Sequence, residues 1–127
     1  MPITHTKTLI FFMIALLLSA CNNEQDKNIA YGEKLFQQDR IGFTQAPGCI
    51  LCHSLQKGII AAGPSLYGIA QRTKKIYAKD AEQYIRTSIT NPAAHVVDGY
   101  RHDQMYPHYA NDLDNEEIEA LIDFLMQ

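Results

Sequence analysis

The sequence lacks tryptophan, has only three cysteines and carries no excess of positive charge. Among its 127 residues, 11 lysines and arginines face 14 aspartates and glutamates, so the formal net charge is −3. Proteins that bind nucleic acid usually present a basic stripe, and a polynucleotide partner is therefore not expected. A chain of this length forms one domain at most and has no room for a large multi-site enzyme.

Apolar runs long enough to cross a membrane are also missing. The run over residues 9–18 holds ten residues, whereas a transmembrane helix needs about 20. It follows a polar start with one cation, Lys7, and precedes the small residues Ser19 and Ala20. This order is typical of a cleavable export signal. Residues 1–20 are therefore predicted to be a signal peptide, with a buried core helix as the alternative.

The first cysteine, Cys21, ends the sequence Leu18-Ser19-Ala20-Cys21. This segment resembles the lipobox of bacterial lipoproteins, in which the cysteine is lipidated and becomes the first mature residue. The resemblance implies a thioether-linked diacylglyceryl anchor on Cys21. Each buried methylene contributes about 0.8 kcal/mol, and two or more chains hold a protein stably. We therefore expect an exported protein, anchored to a membrane, whose domain faces the periplasm or the outer face of the membrane.

The rest of the sequence predicts a polar tether over residues 21–28 and an all-α domain over residues 29–127. Helical spacing of apolar residues predicts a first helix over residues 29–38. A second helix is expected to begin after Asp80 and to end at Asn91-Pro92. The last helix is expected to begin at a capping box formed by Asp114 and Glu117. It is also expected to carry an amphipathic stripe, which consists of Ile118, Leu121, Ile122 and Leu125.

The segments between these helices read as loops. Residues 40–48 and 58–68 are rich in glycine and proline, with a short helix expected after Pro64. Residues 92–113 show neither the apolar spacing of a helix nor the alternation of a strand over any sustained length. No alternating run of β-branched residues predicts a strand elsewhere. An unstructured loop of roughly 20 residues is uncommon unless something functional organises it. The sequence also has few residues that could form a hydrophobic core. The long loop and the small core together indicate that a cofactor fills part of the interior.

Cys49-Ile50-Leu51-Cys52-His53 is the C-x-x-C-H attachment signature of c-type haem. Two thiols at this spacing can reach both vinyl groups of one porphyrin, and the histidine that follows then directs an imidazole nitrogen at the iron. A C-x-x-C motif also occurs in thiol oxidoreductases and zinc sites. Thiol oxidoreductases need a βαβ setting around the motif, and zinc sites need a further pair of ligands. The sequence has neither feature. One covalently attached haem c is therefore predicted, no cysteine is left over, and no disulfide is expected.

The iron needs a second axial ligand, and two methionines follow the predicted signal peptide. Met126 ends the last helix beside its apolar stripe, where packing explains it, whereas Met105 lies in the long loop, where no periodicity does. A thioether sulfur raises the reduction potential relative to harder ligands. Met105 is the predicted ligand. His95, His102 and His108 flank it and remain alternatives, and ligation by two histidines would lower the potential.

Residues 30–125 resemble a class I monohaem cytochrome c. Beyond the haem motif, Gly63-Pro64-Ser65-Leu66-Tyr67-Gly68 is similar to the Gly-Pro-x-Leu-x-Gly segment of that family, and Met105-Tyr106-Pro107 to its Met-Pro loop with one residue inserted. The resemblance implies a small fold of three to five helices with long loops wrapped around one haem.

The same resemblance implies two specific contacts. The backbone carbonyl of Pro64 is expected to accept a hydrogen bond from the imidazole of His53, which would fix the ring orientation and raise the ligand's basicity. Gly32 and Phe36 are expected to meet Phe124 where the first and last helices cross, because glycine permits a close approach.

Residues 84–100 resemble, more narrowly, cytochrome domains that serve bacterial terminal oxidases and quinol-oxidising complexes. This resemblance implies a one-electron carrier whose partners are redox proteins of a respiratory chain. Two strong ligands leave the iron no open position, so no small-molecule substrate and no enzymatic activity are expected. Two other functions stay open. The chain could be a stable haem subunit of a terminal oxidase or reductase complex, or a haem-based sensor or peroxidase-type enzyme with a labile sixth ligand.

Charged residues form two clusters. The basic cluster contains Arg72, Lys74, Lys75 and Lys79, and the acidic one contains Asp112, Asp114, Glu116, Glu117, Glu119 and Asp123. The acidic cluster is interpreted as a solvated face that also stabilises a helix N-terminus. A charge dipole that steers docking of the haem edge is the alternative.

Overall fold

The computed structural model describes residues 24–77 and 80–127, which contain five α-helices and one short hairpin. The predicted signal peptide, Cys21 and Lys79 lie outside the described residues. The helices are α1 (24–37), α2 (Ile69–Tyr77), α3 (Ala81–Thr90), α4 (Tyr109–Asp112) and α5 (Asn115–Leu125). The strands β1 (Arg40–Ile41) and β2 (Ala46–Pro47) pair antiparallel, and single 3-10 turns cover Cys49–Leu51 and Pro92–Ala94.

The all-α class is confirmed, and the strands are a small addition to it. The hairpin lies in the predicted loop of residues 40–48 and pairs the buried Ile41 with the buried Ala46. Two residues per strand are too few to show an alternating pattern in the sequence. No helix in the described part of the chain is long and apolar enough to span a bilayer.

Helix α1 reaches further toward the N-terminus than its apolar pattern indicated. Residues 24–28, assigned to the polar tether, are helical. Lys27 Nζ lies 2.8 Å from Glu24 Oε1 one turn away, and Asn28 Nδ2 donates to Asp123 Oδ2 of α5 at 2.6 Å. Polar contacts of this kind stabilise a helical turn without leaving an apolar period in the sequence, so the pattern places the helix start too late.

Both predicted N-caps are present. Asp80 caps α3 by accepting from the backbone N–H of Glu82 at 3.0 Å. Asp114 and Glu117 form the expected capping box of α5, with reciprocal side-chain to backbone bonds of 2.8 and 3.0 Å. Such a box satisfies two donors that a helix N-terminus otherwise leaves unpaired, which is why these two helix starts could be predicted from the sequence.

The first and last helices cross at Gly32, as expected. The rings of Phe36 and Phe124 lie 5.6 Å apart between centroids, and Phe36 is fully buried. A Cβ atom built on Gly32 would overlap the backbone carbonyl of Ala120 and lie 2.8 Å from the Cβ atom of Phe124. The two helix backbones therefore touch at a point where only glycine fits.

A charged contact joins α3 to α5 on the other side of the core. Arg86 donates from Nη1 and Nη2 to both carboxylate oxygens of Glu119, each at 2.6 Å, and Nη2 also reaches Glu82 at 3.1 Å. The hydrogen bond from Arg86 lowers the pKa of Glu119. Part of the acidic cluster thus serves contacts within the fold, and the interpretation of a purely solvated face is wrong for Glu119, for Asp123 and for the buried Asp112.

We expect replacement of Gly32 by alanine to lower the free energy of unfolding by about 1–3 kcal/mol, because the added methyl group must displace the backbone of α5. Urea unfolding of the purified protein measures this difference. Glu33→Ala is the matched control, since Glu33 is the exposed next residue of the same helix and should change stability little. Equal stability of the two variants would contradict the close helix crossing.

Candidate functional site

A largely apolar cavity of about 430 Å³ lies between the two long loops and the core helices. Its lining includes Cys49, Cys52, His53 and Met105, together with apolar side chains of α3 and α5. The volume falls in the range of pockets that hold small molecules and cofactors. The fold therefore brings these four predicted site residues and Pro64 to one cavity, although His53 and Met105 lie far apart in the sequence.

The C-x-x-C-H motif is wound into a single turn. The backbone N–H groups of Cys52 and His53 both donate to the carbonyl of Cys49, at 3.1 and 2.9 Å. The turn directs both cysteines and the histidine to the cavity, while Leu51 between them is 50% exposed. Three reactive side chains thus share one wall.

The environment of Cys49 is unlike that of a redox-active thiol. Burial raises the pKa of the Cys49 thiol to about 11, so the thiolate is scarce at neutral pH. Reactive cysteines in C-x-x-C oxidoreductases have lowered pKa values instead. The motif therefore does not have the electrostatics of a dithiol catalyst.

His53 is held in one tautomer by the loop that follows it. Its Nδ1 lies 2.8 Å from the carbonyl oxygen of Pro64. A carbonyl only accepts, so Nδ1 carries the proton and Nε2 keeps a free lone pair. Burial lowers the pKa of His53, an effect that the bond to Pro64 partly opposes. A neutral imidazole with a free Nε2 is the form that ligates a metal.

Gly63 lets the loop backbone pack directly against the imidazole. A Cβ atom at this position would lie 2.5 Å from His53 Cε1 and 2.8 Å from Nδ1. Two backbone bonds fix the loop beside the motif, from Gly63 N–H to the Cys52 carbonyl at 2.7 Å and from Leu66 N–H to the Ser54 carbonyl at 2.8 Å. The Gly-Pro pair therefore sets both the position and the tautomer of the ring.

Met105 and the three alternative histidines occupy different environments. Met105 is partly buried, packs against the core and lines the cavity. His95 also lines it but stacks on Tyr84, with ring centroids 5.0 Å apart. His102 lines the cavity and is exposed, and His108 is exposed and outside the lining. The partly buried position of Met105 in the cavity wall favours it over the three histidines as the second ligand.

Ser88 supplies a polar group that sequence reasoning did not single out. Its hydroxyl is one of two buried side-chain polar atoms in the described residues that have no hydrogen-bond partner, the other being that of Thr73. Ser88 lines the cavity, whereas Thr73 does not. A buried unpaired hydroxyl costs about 1–3 kcal/mol. The only hint in the sequence is a serine within the apolar face of α3.

The cavity residues fit a covalently held porphyrin. Two thiols are available for attachment, one neutral imidazole and one thioether for axial ligation, and apolar walls for the ring. The described residues contain no group of three or more His, Cys, Asp or Glu that could hold a metal ion. The donor set is one that completes the coordination of an iron already held by a macrocycle.

The chain matches the model of a known protein family. The model of the family described as Cytochrome c matches residues 29–127. This range includes every cavity residue named above. Searches of curated proteins and of solved structures gave no match.

Replacement of Gly63 by alanine is expected to disturb the imidazole of His53, because the new methyl group would occupy the space of the ring. We expect a strong loss of protein with the absorption spectrum of a histidine-ligated haem, measured per unit of purified protein. Ala61→Ser, at an exposed position two residues earlier, is the matched control and should retain the spectrum. An unchanged spectrum in both variants would show that the close packing is not required.

Proposed function

The chain belongs to the cytochrome c family and is a haem-based electron carrier with covalently attached haem c, and on this premise we propose that it works tethered to a membrane, between redox proteins of a respiratory chain. The haem supplies one-electron chemistry, with its iron cycling between the ferrous and ferric states. The residues of the chain hold the group, fix its ligands and keep water out of the cavity.

Each site residue has a separate role in this proposal. Cys49 and Cys52 would attach the haem through thioether bonds, and the chain would supply two iron ligands, Nε2 of His53 and the sulfur of Met105. The observation that supports the assignment most is the hydrogen bond from His53 Nδ1 to Pro64 at 2.8 Å, because it leaves Nε2 free in a cavity that Met105 also lines. With both of these ligands bound, the iron would have no free position for a substrate. The geometry therefore favours a carrier over a sensor or a peroxidase-type enzyme.

The edge of the cavity offers a surface for transient contact with a redox partner. Val96 and Val97 line the cavity and are 41% and 39% exposed. Apolar residues at such an edge allow a partner to approach the ring closely, and interfaces of electron-transfer encounters are small. A small apolar edge of this kind suits the short encounters of a carrier that we propose.

The proposed anchor would hold the domain close to the membrane. Only Asn22 and Asn23 separate Cys21 from Glu24, the first described residue of α1. The three Cα–Cα steps from Cys21 to Glu24 could span at most roughly 11 Å. A tether this short raises the effective concentration of the carrier near membrane-bound partners, which is the advantage we infer for lipidation.

Substitution of Met105 by leucine should abolish the weak far-red absorption band of methionine-ligated ferric haem and lower the reduction potential, because the sulfur ligand is lost while the volume is kept. Met126→Leu is the matched control. Met126 is partly buried at the end of α5, outside the cavity lining, and this variant should keep both the band and the potential. A far-red band that persists in Met105→Leu would contradict ligation by Met105.

Cys21→Ala is expected to move the protein from the membrane fraction to the soluble fraction, because no acyl chain can be attached. Its haem spectrum should be unchanged, since residue 21 lies outside the haem motif. Asn23→Ala provides a control in the same segment and should remain with the membrane. If the Cys21→Ala protein is found wholly in the membrane fraction, the proposal that lipidated Cys21 is the anchor is wrong.

A further inference from the structure

Met105 lies in a segment that has neither helix nor strand. The segment runs from the end of the 3-10 turn at Ala94 to the start of α4 at Tyr109. Segments of this kind open locally at a lower free energy than core helices. A ligand on such a segment stays at its metal only if other contacts hold the segment in place.

The residue that follows Met105 is held by a buried carboxylate. Tyr106 donates its phenol O–H to Asp112 Oδ2 at 2.5 Å, and Asp112 is only 6% exposed. The backbone of Asp112 is itself fixed, since its N–H donates to the His108 carbonyl at 3.1 Å and its carbonyl accepts from Phe43 N–H at 3.2 Å. The phenol is thus bound to a rigid acceptor formed by α4 and the hairpin.

The residue that precedes Met105 is held by the opposite wall. Gln104 Nε2 donates to the carbonyl oxygen of Ala62 at 2.7 Å, across 42 residues of sequence. Its Oε1 accepts from the backbone N–H of Arg101 at 3.2 Å, so both ends of the amide are used. Ala62 immediately precedes Gly63, which packs on His53. One hydrogen bond therefore joins the loop that carries Met105 to the loop that orients His53.

From these two contacts we propose that Gln104 and Tyr106 are positioning residues that clamp Met105 at the iron, so that releasing either contact lets external ligands compete for the sixth position. The inference rests on the proposed ligation by Met105. The two bonds act on opposite sides of one residue and end on different parts of the fold. Together they restrict the loop to the arrangement in which the sulfur faces the cavity.

The clamp determines how often the sulfur leaves. An external ligand binds only while the sulfur is away, so its observed affinity and rate scale with the open fraction of the loop. A single hydrogen bond to a carboxylate shifts such an equilibrium by roughly tenfold to a hundredfold. The exposed amide of Gln104 bonds to a neutral carbonyl, and its loss should have the smaller effect.

The test measures cyanide binding to the ferric haem-loaded protein by stopped-flow absorption. Tyr106→Phe removes one hydroxyl and should raise the binding rate at least about tenfold, and Gln104→Ala should raise it by a smaller factor. Tyr67→Phe is the matched control. Tyr67 is 52% exposed and lies outside the lining of the haem cavity, so this variant loses the same group without touching the clamp and should bind cyanide at the parental rate.

Two further readouts separate positioning from general stability and from the ligand assignment. If faster binding merely follows a fall in global stability in urea unfolding, the positioning role is wrong. If the unaltered protein shows the far-red band and Tyr106→Phe binds cyanide at the parental rate, the clamp is overturned while ligation by Met105 stands. If the unaltered protein lacks the band, ligation by Met105 and the clamp fail together.

Discussion

The hydrogen bond from His53 Nδ1 to the Pro64 carbonyl is the interaction on which the site depends. It fixes the tautomer of the imidazole, and the absence of a side chain at Gly63 lets the loop come close enough to form it. An irregular loop is a poor scaffold by itself, because few contacts oppose its opening. Here the loop is fixed by backbone bonds to the C-x-x-C-H turn, so motif and loop hold each other.

The packed helices form the stable part of the fold, and the long loops are connected to it. Helices α1 and α5 touch through Gly32, and Arg86 joins α3 to α5 through Glu119. The buried core lies between these helices, and the cavity opens on the side of the loops. A covalently held ring would occupy the volume that a chain of this length cannot fill with side chains, which explains how a sequence with few core residues supports a stable domain.

Local patterns predicted the features that depend on neighbours in the sequence. The start of α5 followed from its capping box, the all-α class from helical spacing, and the haem motif from five consecutive residues. The family resemblance implied two contacts between distant residues, at Gly32 and at Pro64, and both are present. Other features gave no local pattern and were missed or misplaced. The N-terminal turn of α1 is supported by Asn28 reaching Asp123, and the one-turn helix α4 is too short to show a period.

Two site residues illustrate the same limit. Asp112 was counted in a solvated acidic cluster, yet its side chain is buried and accepts from Tyr106. Gln104 gave no signal at all, because its partner is a backbone carbonyl 42 residues away. Sequence patterns identify a residue by its type and its spacing. Neither property predicts which backbone group its side chain contacts in the folded protein.

Carbon monoxide binding to the reduced protein at neutral pH tests the central claim most directly. Carbon monoxide needs an open iron position, and none is open if His53 and Met105 both ligate the iron of an electron carrier. We therefore expect no rapid change in the absorption spectrum on mixing. Rapid and stoichiometric binding would contradict it and would favour a haem with a labile sixth ligand.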